Sequence, residues 1–228
     1  MELLTFDVGN TSVDLCLWEG SKPKLCIKAS HENIPVLKCD KVLVSSVKPS
    51  FNSRIVELYP DAFFIKHEHV PIKVWSYDKE KVGIDRLLNC YGALRLYGDN
   101  LVVVSAGTAL VVDLCVDGGF VGGFVVLGLG SSLECLHRKA ELIPHMELKK
   151  VDVVIGTDTQ SALLGGLFTQ ARAFLVECKR RWEEHFGKRL RFVLTGGDGS
   201  FFEDLGEYDP LLIHRAMFFL FEAFGNNL

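Results

Sequence analysis

The sequence predicts an α/β protein of two related halves, each a mixed β-sheet with flanking helices. Three observations carry that prediction. An apolar strand, a glycine turn and a returning strand open the chain. The same pattern recurs about half the chain later, and segments with helical apolar spacing alternate with these strands. With 228 residues, 48% of them hydrophobic, and no Pro, Ser or Gln tract, the chain is long and apolar enough to bury a core in each half.

In the first half, residues 1–98, Leu3 to Phe6 reads as a strand that runs into Asp7-Val8-Gly9-Asn10-Thr11, and Val13 to Trp18 returns from that turn. Glu19-Gly20-Ser21-Lys22-Pro23 is turn chemistry, after which Leu25 to Ala29 adds a third strand. Val42 to Val47 is a β-branched buried-strand run, Phe51 to Leu58 has helical spacing, and Ala62 to Ile65 is a further short strand. Gly83-Ile84-Asp85-Arg86 opens a helix that Gly98-Asp99-Asn100 stops.

In the second half, residues 99–228, Leu101 to Val104, the turn Ser105-Ala106-Gly107-Thr108 and the return Ala109 to Val116 repeat the opening. The word Val112-Asp113-Leu114-Cys115 answers Val13-Asp14-Leu15-Cys16, with one residue of slippage. Phe120 to Leu127 is a third strand and Gly128 to His137 a helix. Thr159 to Glu184 is the longest helix, with an apolar stripe through Leu163, Leu167, Ala171, Phe174, Leu175, Cys178 and Trp182. Leu190 to Leu194 ends in Thr195-Gly196-Gly197-Asp198, and Asp209-Pro210 is expected to cap a last helix, Leu211 to Phe224.

Composition excludes several classes. A net charge of −4 with no basic run interleaved with aromatics gives no footprint for nucleic acid. The longest apolar stretch, Phe120 to Leu129, falls short of the roughly 20 residues of a membrane span. The first residues lack a basic region and reach Asp7 at once, so no signal peptide is read there and a cytoplasmic location is expected. Seven cysteines, an odd number with no Cys-x-x-Cys pair, are expected to be reduced core residues, and His67 and His69 are read as loop histidines rather than metal ligands.

Chemistry gathers in the turns. Glycine at Gly9, Gly107 and Gly196-Gly197 lets amide N–H groups approach phosphate oxygens, with hydroxyls of Thr11, Thr108 and Thr195 as further donors. Asp7, at a strand end beside such a turn, is the carboxylate expected to hold magnesium, which prefers hard oxygen ligands. No Gly-x-x-x-x-Gly-Lys-Ser/Thr is present, which closes the P-loop route to ATP.

As a set, the three turns resemble the phosphate-1, phosphate-2 and adenosine motifs of the ribonuclease H-like, actin-like ATPase fold shared by actin, sugar kinases and Hsp70. Within it, Asp7-Val8-Gly9-Asn10-Thr11, Gly83-Ile84-Asp85-Arg86, Ala106-Gly107-Thr108-Ala109, Gly122 to Leu129, Gly156-Thr157-Asp158-Thr159 and Thr195-Gly196-Gly197-Asp198 resemble, in order, the motifs of type III pantothenate kinases. The resemblance implies a homodimeric kinase that uses ATP, Mg2+ and K+ or NH4+ to phosphorylate pantothenate. By the same resemblance Asp85 is the general base. Gly83, Arg86, Gly122, Gly123, Thr159 and Tyr77 bind pantothenate, and Asp7, Gly9, Asn10, Thr11, Gly107, Thr108, Thr195, Gly196 and Gly197 bind ATP.

Three departures stand out: Ser105 replaces the family's monovalent-cation Asp, Leu127 replaces a Pro of the pocket loop, and Tyr77 lies one residue out of step. Two other readings stay open on sequence alone. One is another small-molecule kinase of this fold, and the other a non-catalytic nucleotide-binding regulator.

Overall fold

The computed structural model describes residues 1–225. Two compact units are formed, one by Met1–Leu96 with the residues from Leu211 on, the other by Tyr97–Pro210. Along the chain run β1 (Glu2–Val8), β2 (Val13–Glu19), β3 (Lys22–Ala29), β4 (Lys41–Ser46), α1 (Asn52–Leu58), β5 (Phe63–Phe64), β6 (Lys73–Val74) and α2 (Ile84–Tyr97). There follow β7 (Leu101–Ala106), β8 (Ala109–Val116), β9 (Gly119–Leu127), α3 (Leu129–Lys139), α4 (Thr159–Phe186), β10 (Arg191–Thr195), β11 (Glu207–Tyr208) and α5 (Leu212–Phe224).

The first unit orders its strands β3-β2-β1-β4-β5, antiparallel through the opening meander and parallel from β1 to β4 and β5. In the second unit β9-β8-β7-β10-β11 repeats that order, again an antiparallel meander followed by two parallel neighbours. One topology thus occurs twice, as expected of mixed sheets with flanking helices. The repeat does not lie in the Val-Asp-Leu-Cys words, however. Asp14 pairs with Asp7, next to the closing pair Val8 and Val13, whereas Asp113 pairs with Val103, well below the closing pair Ala106 and Leu110. Counted from closure, the residue equivalent to Asp7 is Ser105.

Alternation along the strands makes each sheet two-faced. Leu4, Phe6, Val8, Val13, Leu15 and Leu17 bury one face with Val42, Val44 and Ile55 of α1. On the other face α5 packs on β1. There Trp18 stacks on Phe218 with ring centroids 4.8 Å apart, and Thr5 Oγ1 lies 2.8 Å from His214 Nδ1 while accepting from Trp18 Nε1 at 3.1 Å. The last helix therefore groups with the first unit, unlike the 99–228 partition read from sequence. In the second unit Val102, Val104, Ala106, Leu110, Val112 and Leu114 meet Leu129 and Leu133 of α3 and Leu164, Leu167, Ala171 and Leu175 of α4.

Helix ends follow local chemistry. Asp158 caps α4 by accepting from the Ser161 N–H at 3.0 Å, and Gly187, at φ 61°, terminates it in the left-handed region. Two expectations are corrected. Asp209 does not cap α5, whose N-cap is Leu211 without a side-chain bond. Asp209 is buried and accepts from the Tyr97 hydroxyl at 3.0 Å, a use that a buried carboxylate needs more than a helix end needs a cap. Nor are all cysteines reduced: Cys16 and Cys26 stand opposite each other on antiparallel β2 and β3, Cα atoms 4.1 Å apart, and are joined by a disulfide. Among the described residues no helix is long and apolar enough to cross a membrane.

Candidate active site

Parallel β1 and β4 end side by side in the first unit, and their last residues carry the polar chemistry. Asp7 faces Ser45 on β4 and Asp14 on β2. Burial first, then the charge of Asp85, then that of Asp14, pushes the Asp7 carboxyl up to about 7, while Ser45 and Lys28 hold it back. The Ser45 hydroxyl is buried and has no full hydrogen bond among the described residues. Asp85 sits in the first turn of α2, and burial raises its pKa against the lowering pull of the Arg86 backbone N–H, the Arg86 charge and its own N–H. The fold thus brings Asp7 and Asp85 within electrostatic reach of each other, although the two are far apart in sequence.

Why glycine stands two residues before Asp85 is legible in the geometry. A Cβ on Gly83 would stand 2.5 Å from Asp85 Oδ1, so any other residue would displace the carboxylate from its place. One helical turn after Asp85, Asn89 is buried with its Oδ1 unpartnered among the described residues. Tyr77 stands exposed ahead of α2, in the segment after β6.

Gly9, Asn10 and Thr11 form the turn between β1 and β2, closed by a Gly9 N–H to Ser12 O bond of 3.0 Å. Two side chains that sequence reading missed hold this turn. His31 Nε2 donates to Gly9 O at 3.0 Å, and Lys48 Nζ donates to Asn10 O at 3.3 Å and contacts His31 Nδ1 at 3.5 Å. Neither belongs to a motif word, and only the sheet order, which sets β4 beside β1, could have pointed to Lys48.

In the second unit Ser105 and Thr195 are register partners at the ends of parallel β7 and β10. Gly196, at φ +84°, presses on the Ala106 carbonyl so closely that no Cβ would fit, and Asp198 N–H donates to that same oxygen at 3.1 Å. The structure therefore joins Ser105, Gly107 and the Thr195-Gly196-Gly197 word at one edge. Thr108 O accepts from Gly128 N–H at 3.0 Å and from the Ser131 hydroxyl at 2.7 Å. Gly122 and Gly123 lie on β9 opposite Leu114 and Asp113, and a Cβ on Gly123 would collide with the Val112 carbonyl and the Asp113 carboxylate. Thr159 stands exposed in the first turn of α4.

The donor set around Asp7 fits a hydrated divalent cation. A buried carboxyl raised by two neighbouring carboxylates and an under-bonded buried hydroxyl are hard oxygen groups relieved by positive charge, and magnesium keeps most of its own water. No group of three or more His, Cys, Asp or Glu side chains suited to a directly ligated ion occurs among the described residues. His67 and His69 serve the chain itself: His67 Nε2 donates to Val82 O at 2.7 Å, and His69 Nδ1 accepts from Lys66 N–H at 2.9 Å.

Comparison with known proteins shows the family. A family model described as type III pantothenate kinase matches residues 3–181. A type III pantothenate kinase of Aquifex aeolicus is 43% identical over 222 residues, covering 95% of this chain and 96% of that protein. One of Roseobacter denitrificans is 29% identical over 231 residues, covering 88% of each. Among solved structures, a protein described as a Baf family transcriptional activator from Campylobacter jejuni superposes with a TM-score of 0.71 at 21% identity, covering 99% of this chain and 100% of that one. A 2-dehydro-3-deoxygalactonokinase structure from Sinorhizobium meliloti gives 0.59 at 11% identity, with 97% and 98% covered, which speaks to fold alone. The chain belongs to the type III pantothenate kinase family.

Proposed function

We propose that the chain transfers the γ-phosphoryl group of ATP to the primary alcohol of pantothenate, giving 4′-phosphopantothenate, the first step of coenzyme A synthesis. The likeness to a type III pantothenate kinase across 95% of the chain carries this reading. The influence of the Asp85 charge on the buried Asp7 carboxyl supports the assignment of roles.

Asp85 would accept the alcohol proton as the new oxygen–phosphorus bond forms and the bond to the β,γ-bridging oxygen breaks, releasing ADP. A carboxyl whose pKa is raised by burial is better matched to taking that proton than an ordinary one. Asp7 would hold hydrated Mg2+, which when bound offsets charge on the β- and γ-phosphates. Gly9, Asn10 and Thr11 would offer phosphate donors, and Gly107, Thr108, Thr195, Gly196 and Gly197 carry over as nucleotide contacts. Gly83, Arg86, Gly122, Gly123, Thr159 and Tyr77 carry over as pantothenate contacts.

Ser105 offers a neutral hydroxyl where an anionic ligand for K+ or NH4+ is expected, so turnover should be similar in sodium and potassium. A homodimer is supported by exposed apolar residues on both faces of β9, Phe124 at 45% and Val126 at 41% on one and Val125 at 56% and Leu127 at 60% on the other, apolar surface that a second copy would cover. A cytoplasmic location completes the proposal. The decisive experiment couples ADP release to pantothenate addition, in sodium and then in potassium. Pantothenate-dependent ADP release is expected, and ATP binding without any transfer to pantothenate would overturn the reading in favour of a regulatory protein.

A further inference from the structure

We infer that His31 and Lys48 are positioning residues for the nucleotide's phosphates, acting as a two-point clamp on the carbonyl side of the Gly9–Ser12 turn. The inference rests on the ATP-dependent reading above and adds two residues to it.

A trans peptide points its C=O and the following N–H in opposite directions. The carbonyl of Gly9 shares a peptide with the N–H of Asn10, and the carbonyl of Asn10 shares one with the N–H of Thr11. Those two N–H groups are the donors a phosphate would meet in this turn. His31 Nε2 holds the first carbonyl at 3.0 Å and Lys48 Nζ the second at 3.3 Å, so gripping the carbonyls fixes the aim of the donors on the opposite side. Glycine at position 9 makes that aim soft without a clamp, since it carries no Cβ to restrict its backbone.

The two clamps also set each other. A carbonyl can only accept, so His31 Nε2 carries the proton, Nδ1 is left as an acceptor, and the Lys48 ammonium lies 3.5 Å from it. Each partner is anchored in turn: Phe51 and the imidazole meet edge to face with centroids 4.7 Å apart, and the Lys48 backbone N–H donates to Ser46 Oγ at 3.3 Å. Charge supplies the second effect. Lys48 places a cation against the backbone of a turn meant for a polyanion, and a fixed positive charge there favours phosphate over the uncharged remainder of the nucleotide.

The test compares ATP with adenosine, which lacks phosphates, by calorimetric titration of the full chain, alongside KM for ATP and for pantothenate. Lys48→Met, which keeps the aliphatic stem, is expected to weaken ATP binding roughly tenfold, the weight of one hydrogen bond to a charged group. Adenosine affinity and the pantothenate KM should be unchanged, and Lys48→Arg should recover most of the loss. His31→Gln, whose side-chain N–H can stand in for Nε2–H, should lie closer to the native protein than His31→Ala. If His31→Ala does not fold, the half-exposed Lys48 still carries the test. Native ATP affinity in Lys48→Met, or an equal loss for ATP and adenosine, overturns the clamp. A native protein that binds ATP but phosphorylates no pantothenate refutes the kinase reading instead, and the ATP-to-adenosine ratio still judges the clamp.

Discussion

The two hairpins occupy the same place in two copies of one topology, yet they are built for different work. At the β1–β2 hairpin, Asp7 and Asp14 face each other, Asp85 adds its charge, and His31 and Lys48 brace the turn from side chains. At the β7–β8 hairpin the residue equivalent to Asp7 is the neutral Ser105, and the turn is walled by backbone: Gly128 lies against the Gly107 and Thr108 carbonyls and Gly196 against that of Ala106. Strand pairing repeats, but charge does not. A duplicated sheet supplies two similar turns, and the side chains at the strand ends give one of them carboxylates and leave the other walled by bare peptide.

The sharpest way to break that comparison is to neutralise the charged side. Asp85→Asn should lower kcat by about 10²–10⁴-fold while ATP affinity and circular dichroism stay native. Gly83→Ala should reproduce part of that loss without removing the carboxyl, because its Cβ forces Asp85 Oδ1 to move. Near-normal turnover in Asp85→Asn would remove the base from the first unit altogether.

Stability offers a second contrast, because His214 is buried behind the first sheet and its pKa is depressed by that burial to about 4 from an ordinary 6.5. The unfolded chain takes up this proton first, so the His214 contribution is complete above about pH 6.5 and is lost as pH falls toward 4, up to about 3 kcal/mol. Denaturant midpoints at pH 7.5 and 4.5 should separate, and should separate less in His214→Gln. An equal acid loss in both proteins would assign the effect to other groups.

Glycine substitutions probe the backbone-walled side. Gly128→Ala drives a Cβ into the Gly107 carbonyl and should cost about 1–3 kcal/mol or more, whereas Gly9→Ala meets only the Ser12 carbonyl at 3.2 Å and should cost less. Thermal unfolding of the two variants orders them. The smallest effect is expected from Ser105→Asp, which gives the second hairpin the acid that the first one has. It should create a modest stimulation by potassium over sodium that the native protein lacks, and identical rates in both salts would show that the acid alone does not make the cation site.

Much of this molecule was legible in the chain before any contact was known. Apolar runs broken by glycine turns mark β1, β2, β7 and β8, helical spacing marks α2 and α4, and the Asp-Val-Gly-Asn-Thr and Gly-Ile-Asp-Arg words mark a strand end and a helix start, because each is enforced by neighbours a few residues away. Local rules failed where a residue had a distant claim on it. Asp209-Pro210 has the chemistry of a helix cap, but Tyr97 takes the carboxylate. Cys16 and Cys26 look like separate core residues until antiparallel pairing sets them face to face. The influence of the Asp85 charge on Asp7 and the grip of His31 and Lys48 on the first turn likewise come from strand order and helix placement. Sequence alone determined the longer elements, the recurrence of a strand, glycine turn and returning strand, and the family, since these are written in short-range periodicity and short words. Only the tertiary structure decided which charges share a low-dielectric site and which carbonyls are held, because burial and proximity between segments far apart in the chain exist only once the sheets are assembled.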